Sequence, residues 1–412
     1  MDKSLKKRIV ITVVFSVCVN LVISFNACWS IFEKALAGSG WTHAAASLPL
    51  TVLSLFYRGV VTPVGIMQDK IGPTKTFLVG IVLMQAGLVI CGLTMSLPGI
   101  IIGFSILYGA GTASAYSANV STVMKWTTPK NRGLISGLVI SALGLSGVIS
   151  SNVVSAVMKD HSIAAGFFAG AIYSLPVLLI AMQFIKRPSP EQHAALSAAA
   201  AGQASTKNAA GPELALTLKQ TVRTRRFYQL VLINMFGTGA IQLASSHAAD
   251  IVLVQGNIAE GARFVSLYAF FSFAGRLLSG ILSDHFPRKY VFAVTMGAAT
   301  AVLFFFKTFS TPLLLGFGIA AVSFASGTLM SMVPVFITDF FGAKHYGQNY
   351  GIVYSASILS GFVPVIIGSI VDRTGSYSGA YLLCAVCGII ATLLILLLPD
   401  AKKLAAREAS AR

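Results

Sequence analysis

Long apolar segments alternate with short polar ones along the whole chain. A helix needs about 20 mainly apolar residues to cross roughly 30 Å of hydrocarbon. Twelve segments reach that length, and they are apolar on all sides, which favours helices over the alternating strands of a membrane barrel. The pattern therefore predicts an all-α polytopic membrane protein. The predicted spans cover residues 9–32, 44–66, 75–95, 99–122, 133–157, 163–186, 227–251, 262–283, 289–308, 311–336, 347–371 and 378–398.

One polar region divides the twelve spans into two sets of six. It begins with Arg187 and Pro188, continues rich in Ala, Ser and Gly, and ends in an arginine-rich stretch at 223–226. We therefore predict four parts. They are an N-terminal six-helix bundle at 1–186, a cytoplasmic linker at 187–226, a C-terminal six-helix bundle at 227–400 and a cytoplasmic tail at 401–412.

The composition agrees with a membrane protein. Hydrophobic residues make up 55% of the 412 residues and charged residues only 10%, whereas soluble domains carry about 25% charged residues. The 5 cysteines lie inside apolar segments, so they predict helix packing rather than a disulfide framework. No metal site and no cofactor are expected.

The net charge of +17 would suggest nucleic-acid binding in a soluble protein. In membrane proteins, however, cytoplasmic loops collect Lys and Arg. If the N-terminus is inside, most of the 30 Lys and Arg residues fall in the termini, the linker and the loops of that side. The outer loops then hold only Lys34, Lys159, Arg263, Lys307 and Arg373. This split predicts that both termini are cytoplasmic, and it removes the reason to expect nucleic acid as a partner.

Two short motifs follow the second and the eighth span at equivalent positions. Glycine permits a short turn between helices. An acid beside cations can hold the cytoplasmic ends of the helices together, so the motifs predict a gating role. Turn glycines with charges that only set the topology are the alternative for either copy alone. Two copies predict two homologous halves, with the substrate at the midplane between them. The residues concerned are Gly65, Asp69 and Lys70 in the first copy and Gly280, Asp284 and Arg288 in the second.

Several strings give the chain a family resemblance. They are Cys28-Trp29-Ser30-Ile31-Phe32, Tyr116 with Lys125-Trp126, Asn131-Arg132-Gly133-Leu134, Gly275-Arg276 with Ser283-Asp284, Asp339-Phe340-Phe341-Gly342 and Asn349-Tyr350-Gly351. With these strings the chain resembles the major facilitator superfamily over essentially its whole length. Within it, the chain is similar to the group of oxalate–formate antiporters and monocarboxylate transporters. The resemblance implies two pseudo-symmetric six-helix bundles that transport small carboxylates.

The resemblance also implies roles for particular residues. In that group an arginine of span 8 pairs with the substrate carboxylate, which implies this role for Arg276, and Tyr116 is implied as a cavity-lining hydrogen-bond donor. Three positions depart from the group. Ser357 stands where the antiporter has a lysine, and the segment at Asn26 lacks the span-1 lysine of the animal monocarboxylate transporters. Ser272 replaces their acid four residues before the arginine. The substrate charge and the coupling ion therefore cannot be taken over from the group.

Two arginines, Arg58 and Arg276, lie inside predicted spans. At 1.5 Å per residue they are roughly 16 Å and 12 Å inward from the acids that follow their spans. An arginine at the bilayer centre costs about 2.5–3.5 kcal/mol, so it normally faces a cavity or a partner. Internal ion pairing is the alternative, but of the 13 acids only Asp250 and Asp339 could lie within a span, near its end. We therefore predict Arg276 as a carboxylate ligand, and Arg58 as a second ligand or a pairing or gating residue.

Other polar residues inside the spans complete the predicted site. Asn26, Tyr116 and Tyr354 are candidate substrate ligands, and helix–helix hydrogen bonds are the alternative for each. His247 and Asp250 lie towards the outer end of span 7. Because histidine titrates near neutral pH, both are candidates for proton coupling, and a hydrogen-bonded core histidine is the alternative.

These features predict a secondary active transporter and no enzyme activity. The expected substrate is a small organic carboxylate, first a monocarboxylate such as L-lactate or pyruvate, moved with a proton by alternating access. A dicarboxylate–monocarboxylate exchanger of the oxalate–formate type is the alternative, and an anion channel is an alternative of another class. The expected partners are the substrate anion, a proton or counter-anion, and lipid. The protein is expected to be a monomer in the plasma or inner membrane of the cell.

Overall fold

The computed structural model describes residues 3–128, 131–192, 194–196, 215–258 and 261–399. The predicted tail and most of the predicted linker lie outside these ranges. All regular elements in the described ranges are helical. Up to the linker they are α1 (Lys3–Val22), α2 (Trp29–Gly38), α3 (His43–Ile71), α4 (Pro73–Thr94), α5 (Leu97–Ile100), α6 (Gly109–Trp126), α7 (Arg132–Asp160) and α8 (Ile163–Met182). After it come α9 (Leu218–Thr221), α10 (Arg225–Gly256), α11 (Gly261–His285), α12 (Arg288–Phe305), α13 (Pro312–Phe341), α14 (Tyr346–Ala356), α15 (Val363–Thr374) and α16 (Ser378–Leu396).

The helices match the predicted membrane spans. Among the described residues, 11 helical segments are long and apolar enough to cross a membrane, and the bent pair Tyr346–Ala356 and Ile358–Val371 brings the number to 12. The second and eighth, for example, run over Ala45–Ile71 and Arg263–His285. The prediction of an all-helical polytopic membrane protein is therefore confirmed. The side of the membrane on which each terminus lies stays a prediction.

The first span is broken near its middle. A 3-10 turn at Phe25–Cys28 separates α1 from α2. Irregular backbone at membrane depth is tolerated where protein covers it or where it lines a cavity. The hydroxyl group of Tyr108 donates a hydrogen bond of 2.6 Å to the carbonyl oxygen of Ile23, just before the turn. A side chain of the fourth span thus replaces a backbone hydrogen bond that the break removes.

A second break interrupts the eleventh span. The 3-10 turn Ile358–Phe362 lies between α14 and α15. The side-chain amide of Asn234 on α10 donates a hydrogen bond of 2.7 Å to the hydroxyl group of Ser357, directly before this turn. Ser357 is therefore next to an irregular segment that a neighbouring helix holds.

The chain forms two compact units. The first unit consists of Met1–Thr127, Ala142–Ala199 and Ala343–Ser355, and the second of Thr128–Ser141, Ala200–Gly342 and Ala356–Arg412. Two segments, 128–141 and 343–355, therefore belong to a different unit from the six-helix bundle in which the sequence places them. The division into bundles at 1–186 and 227–400 stays a prediction.

Aromatic stacking fills the core of the first unit beside the broken first span. The ring centroids of Trp29 and Phe104 are 4.3 Å apart, and those of Phe32 and Phe167 are 4.2 Å apart. All four side chains are buried. Because α2 carries Trp29 and Phe32, this cluster fixes the second half of the first span against the fourth and sixth.

Candidate functional site

Arg58 lies in the middle of the long helix α3 and is half-buried. Its guanidinium group is within electrostatic range of Tyr57, Tyr350 and Tyr354. Its backbone carbonyl oxygen accepts a hydrogen bond of 2.5 Å from the hydroxyl group of Ser355. Within the described ranges, no ion pair and no hydrogen bond engages the guanidinium group. The positive charge is therefore available to an anionic ligand.

Three tyrosines of α14, Tyr346, Tyr350 and Tyr354, lie on one face of the helix, since they follow one another at intervals of four residues. Tyr350 and Tyr354 are within electrostatic range of Arg58. The ring centroids of Tyr346 and Tyr350 are 5.5 Å apart, and those of Tyr350 and Tyr354 are 4.3 Å apart. Tyr116 of α6 joins them, with its centroid 6.1 Å from that of Tyr350. We call these four residues the tyrosine face. The hydroxyl group of Tyr346 is buried and has no hydrogen-bond partner among the described residues.

Close backbone contact brings the tyrosine face against α3. A Cβ atom at Gly347 would lie 2.7 Å from the carbonyl oxygen of Gly65, and one at Gly351 would lie 2.7 Å from the Cα atom of Thr62. The hydroxyl group of Thr62 donates a hydrogen bond of 2.7 Å to Ser355. Only glycine permits this approach, because any larger side chain would separate α14 from α3.

The acid of the first motif caps the beginning of α14. Oδ2 of Asp69 accepts a hydrogen bond of 2.9 Å from the backbone N–H of Gln348, and Nζ of Lys125 lies 4.0 Å from Oδ1. A carboxylate is stabilised there by the free N–H groups and the dipole of the helix. Lys70, the cation within the motif, is exposed. Burial lowers the pKa of the adjacent His345, although the charge of Asp69 opposes this.

The acid of the second motif caps α7 in the same way within the second unit. Oδ1 of Asp284 accepts a hydrogen bond of 3.0 Å from the backbone N–H of Gly133, and Oδ2 accepts one of 2.8 Å from that of Leu134. A Cβ atom at Gly280 would lie 3.1 Å from the carbonyl carbon of Gly133. The repeat therefore has a physical basis, since each copy combines a glycine at a helix crossing with an acid at a helix N-terminus.

A network of buried charges surrounds the second motif. Nη1 of Arg132 lies 3.1 Å from Oδ1 of Asp339, and Nη1 of Arg288 binds Oδ2 of the same carboxylate. Nη2 of Arg288 also lies 3.8 Å from Oδ1 of Asp284. Side-chain exposure in the network is at most 10%. The sequence predicts no role for Asp339 and Arg132, because their pairing joins positions far apart in the chain.

Arg276 lies on α11 in the second unit, where glycines of two other helices enclose its backbone. A Cβ atom at Gly137 of α7 would lie 2.5 Å from the carbonyl oxygen of Arg276, and one at Gly327 of α13 would lie 2.6 Å from its backbone nitrogen. The Nε and Nη1 atoms of the side chain are buried. A hydrogen bond of 3.0 Å between Tyr268 and Ser326 also joins α11 to α13. These contacts fix the position of Arg276 along the helix axis.

Asn26 lies in the 3-10 turn of the first span. Its backbone N–H donates a hydrogen bond of 3.4 Å to the hydroxyl group of Tyr108. The side-chain amide is half-buried and makes no hydrogen bond with a described residue. Tyr108 itself was missed by the sequence analysis, because a single tyrosine in an apolar segment gives no sign that it stabilises a break in another helix.

The candidate proton-coupling residues both lie on α10. The ring centroid of His247 is 5.9 Å from that of Tyr377. The side chain of Asp250 lies outside the part of the chain that the structure describes. In the part that is described, no group of three or more His, Cys, Asp or Glu side chains could hold a metal ion.

Comparison with known proteins places this geometry in a family. The model of the Major Facilitator Superfamily matches residues 12–256 and 254–412. The chain belongs to this superfamily. It is therefore a transporter and not an enzyme.

Three proteins illustrate the similarity. The oxalate:formate antiporter of Oxalobacter formigenes is 24% identical over 371 residues, which cover 88% of this chain and 84% of that protein. Monocarboxylate transporter 12 of Mus musculus is 24% identical over 395 residues, covering 88% of this chain and 78% of its own. The solved structure of the proton:xylose symporter XylE superposes with a TM-score of 0.72 at 14% identity and covers 98% of this chain and 99% of that one. The last similarity shows the major facilitator fold.

The structure thus brings together part of the predicted site. Arg58, Tyr116 and Tyr354 belong to one unit and lie around Tyr350, whereas Arg276 belongs to the other unit. Tyr57, Tyr346 and Tyr350 were missed as site residues. The spacing of four residues along α14 was the signal that could have found the last two.

Proposed function

We propose that this protein is a secondary active transporter that moves small organic carboxylates by alternating access. The observation that carries the proposal is Arg58, a cation in the middle of a membrane-spanning helix that no described carboxylate pairs. Placing an arginine at the bilayer centre costs about 2.5–3.5 kcal/mol, which an anionic ligand offsets when it neutralises the charge. A guanidinium group suits a carboxylate because its N–H donors match two oxygen atoms.

The tyrosine face supports the same substrate class. Its rings lie within electrostatic range of Arg58 through Tyr350 and Tyr354, and the buried hydroxyl group of Tyr346 needs an acceptor. Phenol hydroxyl groups bind carboxylate oxygens without adding charge. We further propose that these aromatic rings exclude bulky substrates.

The finer proposal is a monocarboxylate such as L-lactate or pyruvate, moved together with a proton. The similarity to monocarboxylate transporter 12 supports this choice. His247 is the first candidate for the proton site because an imidazole titrates near neutral pH, and Asp250 is the second. We further propose that Asn26 contacts the substrate, that both termini are cytoplasmic, and that the protein is a monomer in the plasma or inner membrane.

Anion exchange is the second candidate function. A second arginine, Arg276, lies within another spanning helix, and the similarity to the oxalate:formate antiporter supports a dicarboxylate exchanged for a monocarboxylate. In either mechanism, we propose that the capped motifs around Asp69 and Asp284 act as gates. Breaking each cap would release the N-terminus of one helix.

Uptake into liposomes that contain the purified protein tests the function. We expect saturable uptake of labelled L-lactate or pyruvate that an inward proton gradient accelerates and that the membrane potential leaves unchanged, since a monoanion with one proton carries no net charge. Uptake that requires an internal carboxylate and responds to potential for oxalate would favour the exchanger. Conductance without saturation would favour a channel, and no uptake of any carboxylate would refute the proposal.

Arg276→Gln is expected to lower the apparent affinity for the carboxylate at least tenfold, as expected for loss of one charge-assisted contact. The same liposome assay measures the change in KM. Arg276→Lys serves as the matched control because it keeps the charge and should retain part of the affinity. If both variants transport with the KM of the unmodified protein, Arg276 does not bind the substrate.

A further inference from the structure

The first residues of the linker lie against the C-terminal end of α3 in the first unit. Nη2 of Arg187 donates hydrogen bonds of 2.9 Å to the carbonyl oxygen of Asp69 and of 3.2 Å to that of Gln68. The carboxylate of the same Asp69 caps the beginning of α14 through the N–H group of Gln348. The linker therefore contacts the backbone of the residue whose side chain forms the proposed gate.

The carbonyl group of Asp69 needs a partner from outside its own helix. In a continuous helix this oxygen would accept a hydrogen bond from the N–H group four residues later. That residue is Pro73, which has no N–H group. The carbonyl oxygen of Gln68, by contrast, also accepts a hydrogen bond of 3.0 Å from the N–H group of Gly72. Arg187 thus supplies the hydrogen bond that the residues after α3 cannot give to Asp69.

Contacts on both sides of Arg187 fix the linker at this place. The carbonyl oxygens of the two residues before it each accept a hydrogen bond, one of 2.7 Å from Oγ1 of Thr74 and one of 2.8 Å from the indole Nε1 of Trp126. Further along the linker, the buried side chain of Leu196 packs with Trp126 and with Leu5. Residues of α1, α4 and α6 therefore keep Arg187 beside the end of α3.

The charge of Arg187 also suits this position. The carbonyl groups at a helix C-terminus carry a partial negative charge, which a cation stabilises. The guanidinium group is within electrostatic range of Lys125 and His345, which lie beside the carboxylate of Asp69. Its hydrogen bonds nevertheless go to the backbone of α3. Arg187 therefore acts on Asp69 through the last turn of the helix and not through the carboxylate.

The other end of the linker makes the same kind of contact in the second unit. Nη1 of Arg226 donates a hydrogen bond of 3.2 Å to the carbonyl oxygen of Phe340, and the backbone N–H of Leu216 donates one of 3.0 Å to that of Phe341. The helix α13 ends there, two residues after Asp339, as α3 ends two residues after its own acid. An arginine of the linker thus holds an acid-bearing helix end in each unit.

We propose that Arg187 is a positioning residue for Asp69, through which the linker sets how firmly the cap on α14 closes. This inference rests on the proposed function, because it takes that cap as a gate. By holding the last turn of α3, Arg187 keeps the carboxylate of Asp69 within reach of the N–H group of Gln348. Without Arg187, one carbonyl group at the end of α3 lacks its partner, so the turn and the cap open more often.

Hydrogen–deuterium exchange of the purified protein measures the cap directly. The N–H group of Gln348 lies in the first turn of α14, where the helix offers it no acceptor, so its exchange follows the opening of the cap. Arg187→Gln is expected to accelerate exchange of the peptide that contains Gln348 about two- to fivefold, as for loss of a cation at a helix C-terminus. Arg187→Lys keeps the charge and should restore part of the protection. Arg223→Gln removes an exposed arginine of the same linker and should leave the exchange unchanged.

Carboxylate uptake into liposomes shows whether Arg187 and Asp69 act as a unit. We expect Arg187→Gln to change kcat in the same direction as Asp69→Asn, by a smaller factor and at an unchanged KM. The double variant should have the kcat of Asp69→Asn alone, because Arg187 acts only through that acid.

Two results would overturn this inference and leave the proposed function standing. One is unchanged exchange at Gln348 in Arg187→Gln, and the other is a double variant in which the two effects on kcat simply add. If Asp69→Asn itself keeps the kcat of the unmodified protein, the cap is not a gate, which refutes that part of the proposed function and this inference with it.

Discussion

Arg58→Gln is expected to reduce saturable carboxylate uptake roughly a hundredfold or more. Glutamine is shorter than arginine but keeps a hydrogen-bonding group, and it removes the positive charge. Truncating one partner of a buried, hydrogen-bonded charge pair costs about 2–5 kcal/mol, and every 1.4 kcal/mol is tenfold in affinity. Initial rates over a range of substrate concentrations in liposomes, with the amount of inserted protein determined for each variant, measure the effect.

The same substitution should not harm folding. Because no ion pair within the described residues holds the guanidinium group of Arg58, its removal breaks no salt bridge, and we expect an unchanged or raised Tm in detergent. This result would distinguish loss of binding from loss of structure. Arg373→Gln removes an exposed arginine and should change neither property. Arg58→Lys should retain partial uptake, since lysine keeps the charge but lacks the planar fork.

Uptake of monocarboxylates by Arg58→Gln at the KM of the unmodified protein would show that Arg58 does not bind the substrate. The carboxylate site would then have to depend on Arg276 alone. If uptake of monocarboxylates survives while exchange of oxalate is lost, the two arginines serve a dicarboxylate and the exchanger is favoured.

The positions of the membrane spans could be predicted from the sequence, whereas the breaks within them could not. A run of about 20 apolar residues is a sufficient signal for a spanning helix, because a chain that crosses the bilayer must satisfy its backbone hydrogen bonds internally. The turns at Phe25–Cys28 and Ile358–Phe362 do not interrupt that signal, since each carries only one or two polar or glycine residues among apolar ones. They depend on Tyr108 and Asn234, which act from other helices.

The arginines could be found by a count of charges, but their surroundings could not. Arg58 stood out because an apolar span contains few charged residues. Tyr350 and Tyr354, which lie within electrostatic range of its guanidinium group, are almost 300 positions further along the chain. The close contacts of Gly347 and Gly351 with α3 and the hydrogen bonds of Asp69 and Thr62 bring them there, and such long-range pairing has no local pattern.

The repeated motif could also be predicted only in part from the sequence. Its glycine and acid could be recognised twice, and both acids cap a helix. The cations could not be assigned, since the partner of Asp69 is Lys125 from another helix, whereas Asp284 pairs with Arg288 four residues away. Equivalent backbone geometry in the two units is therefore combined with different ion pairs. Among the described residues, the carboxylate of Asp339 contacts two arginines, which makes it a sensitive position of the second unit.

Asp339→Asn is expected to lower the free energy of unfolding by about 3–5 kcal/mol, the usual cost of breaking a buried ion pair by removing one partner. The carboxylate of Asp339 contacts both Arg132 and Arg288, and its side chain is only 6% exposed. Asparagine fills nearly the same volume but removes the negative charge that both guanidinium groups contact. The Tm of the purified protein in detergent measures the loss.

Two further variants test whether the loss of stability in Asp339→Asn comes from the lost charge. Asp160→Asn removes an exposed acid at the end of α7 and should leave the Tm within about a degree, because surface charges contribute little. Adding Arg132→Met to Asp339→Asn should recover part of the stability, since it removes one of the two cations that contact Asp339 while Arg288 keeps Asp284. A Tm for Asp339→Asn equal to that of Asp160→Asn would mean that the network contributes nothing to stability. A double variant less stable than Asp339→Asn alone would show that Arg132 acts through packing and not through its charge.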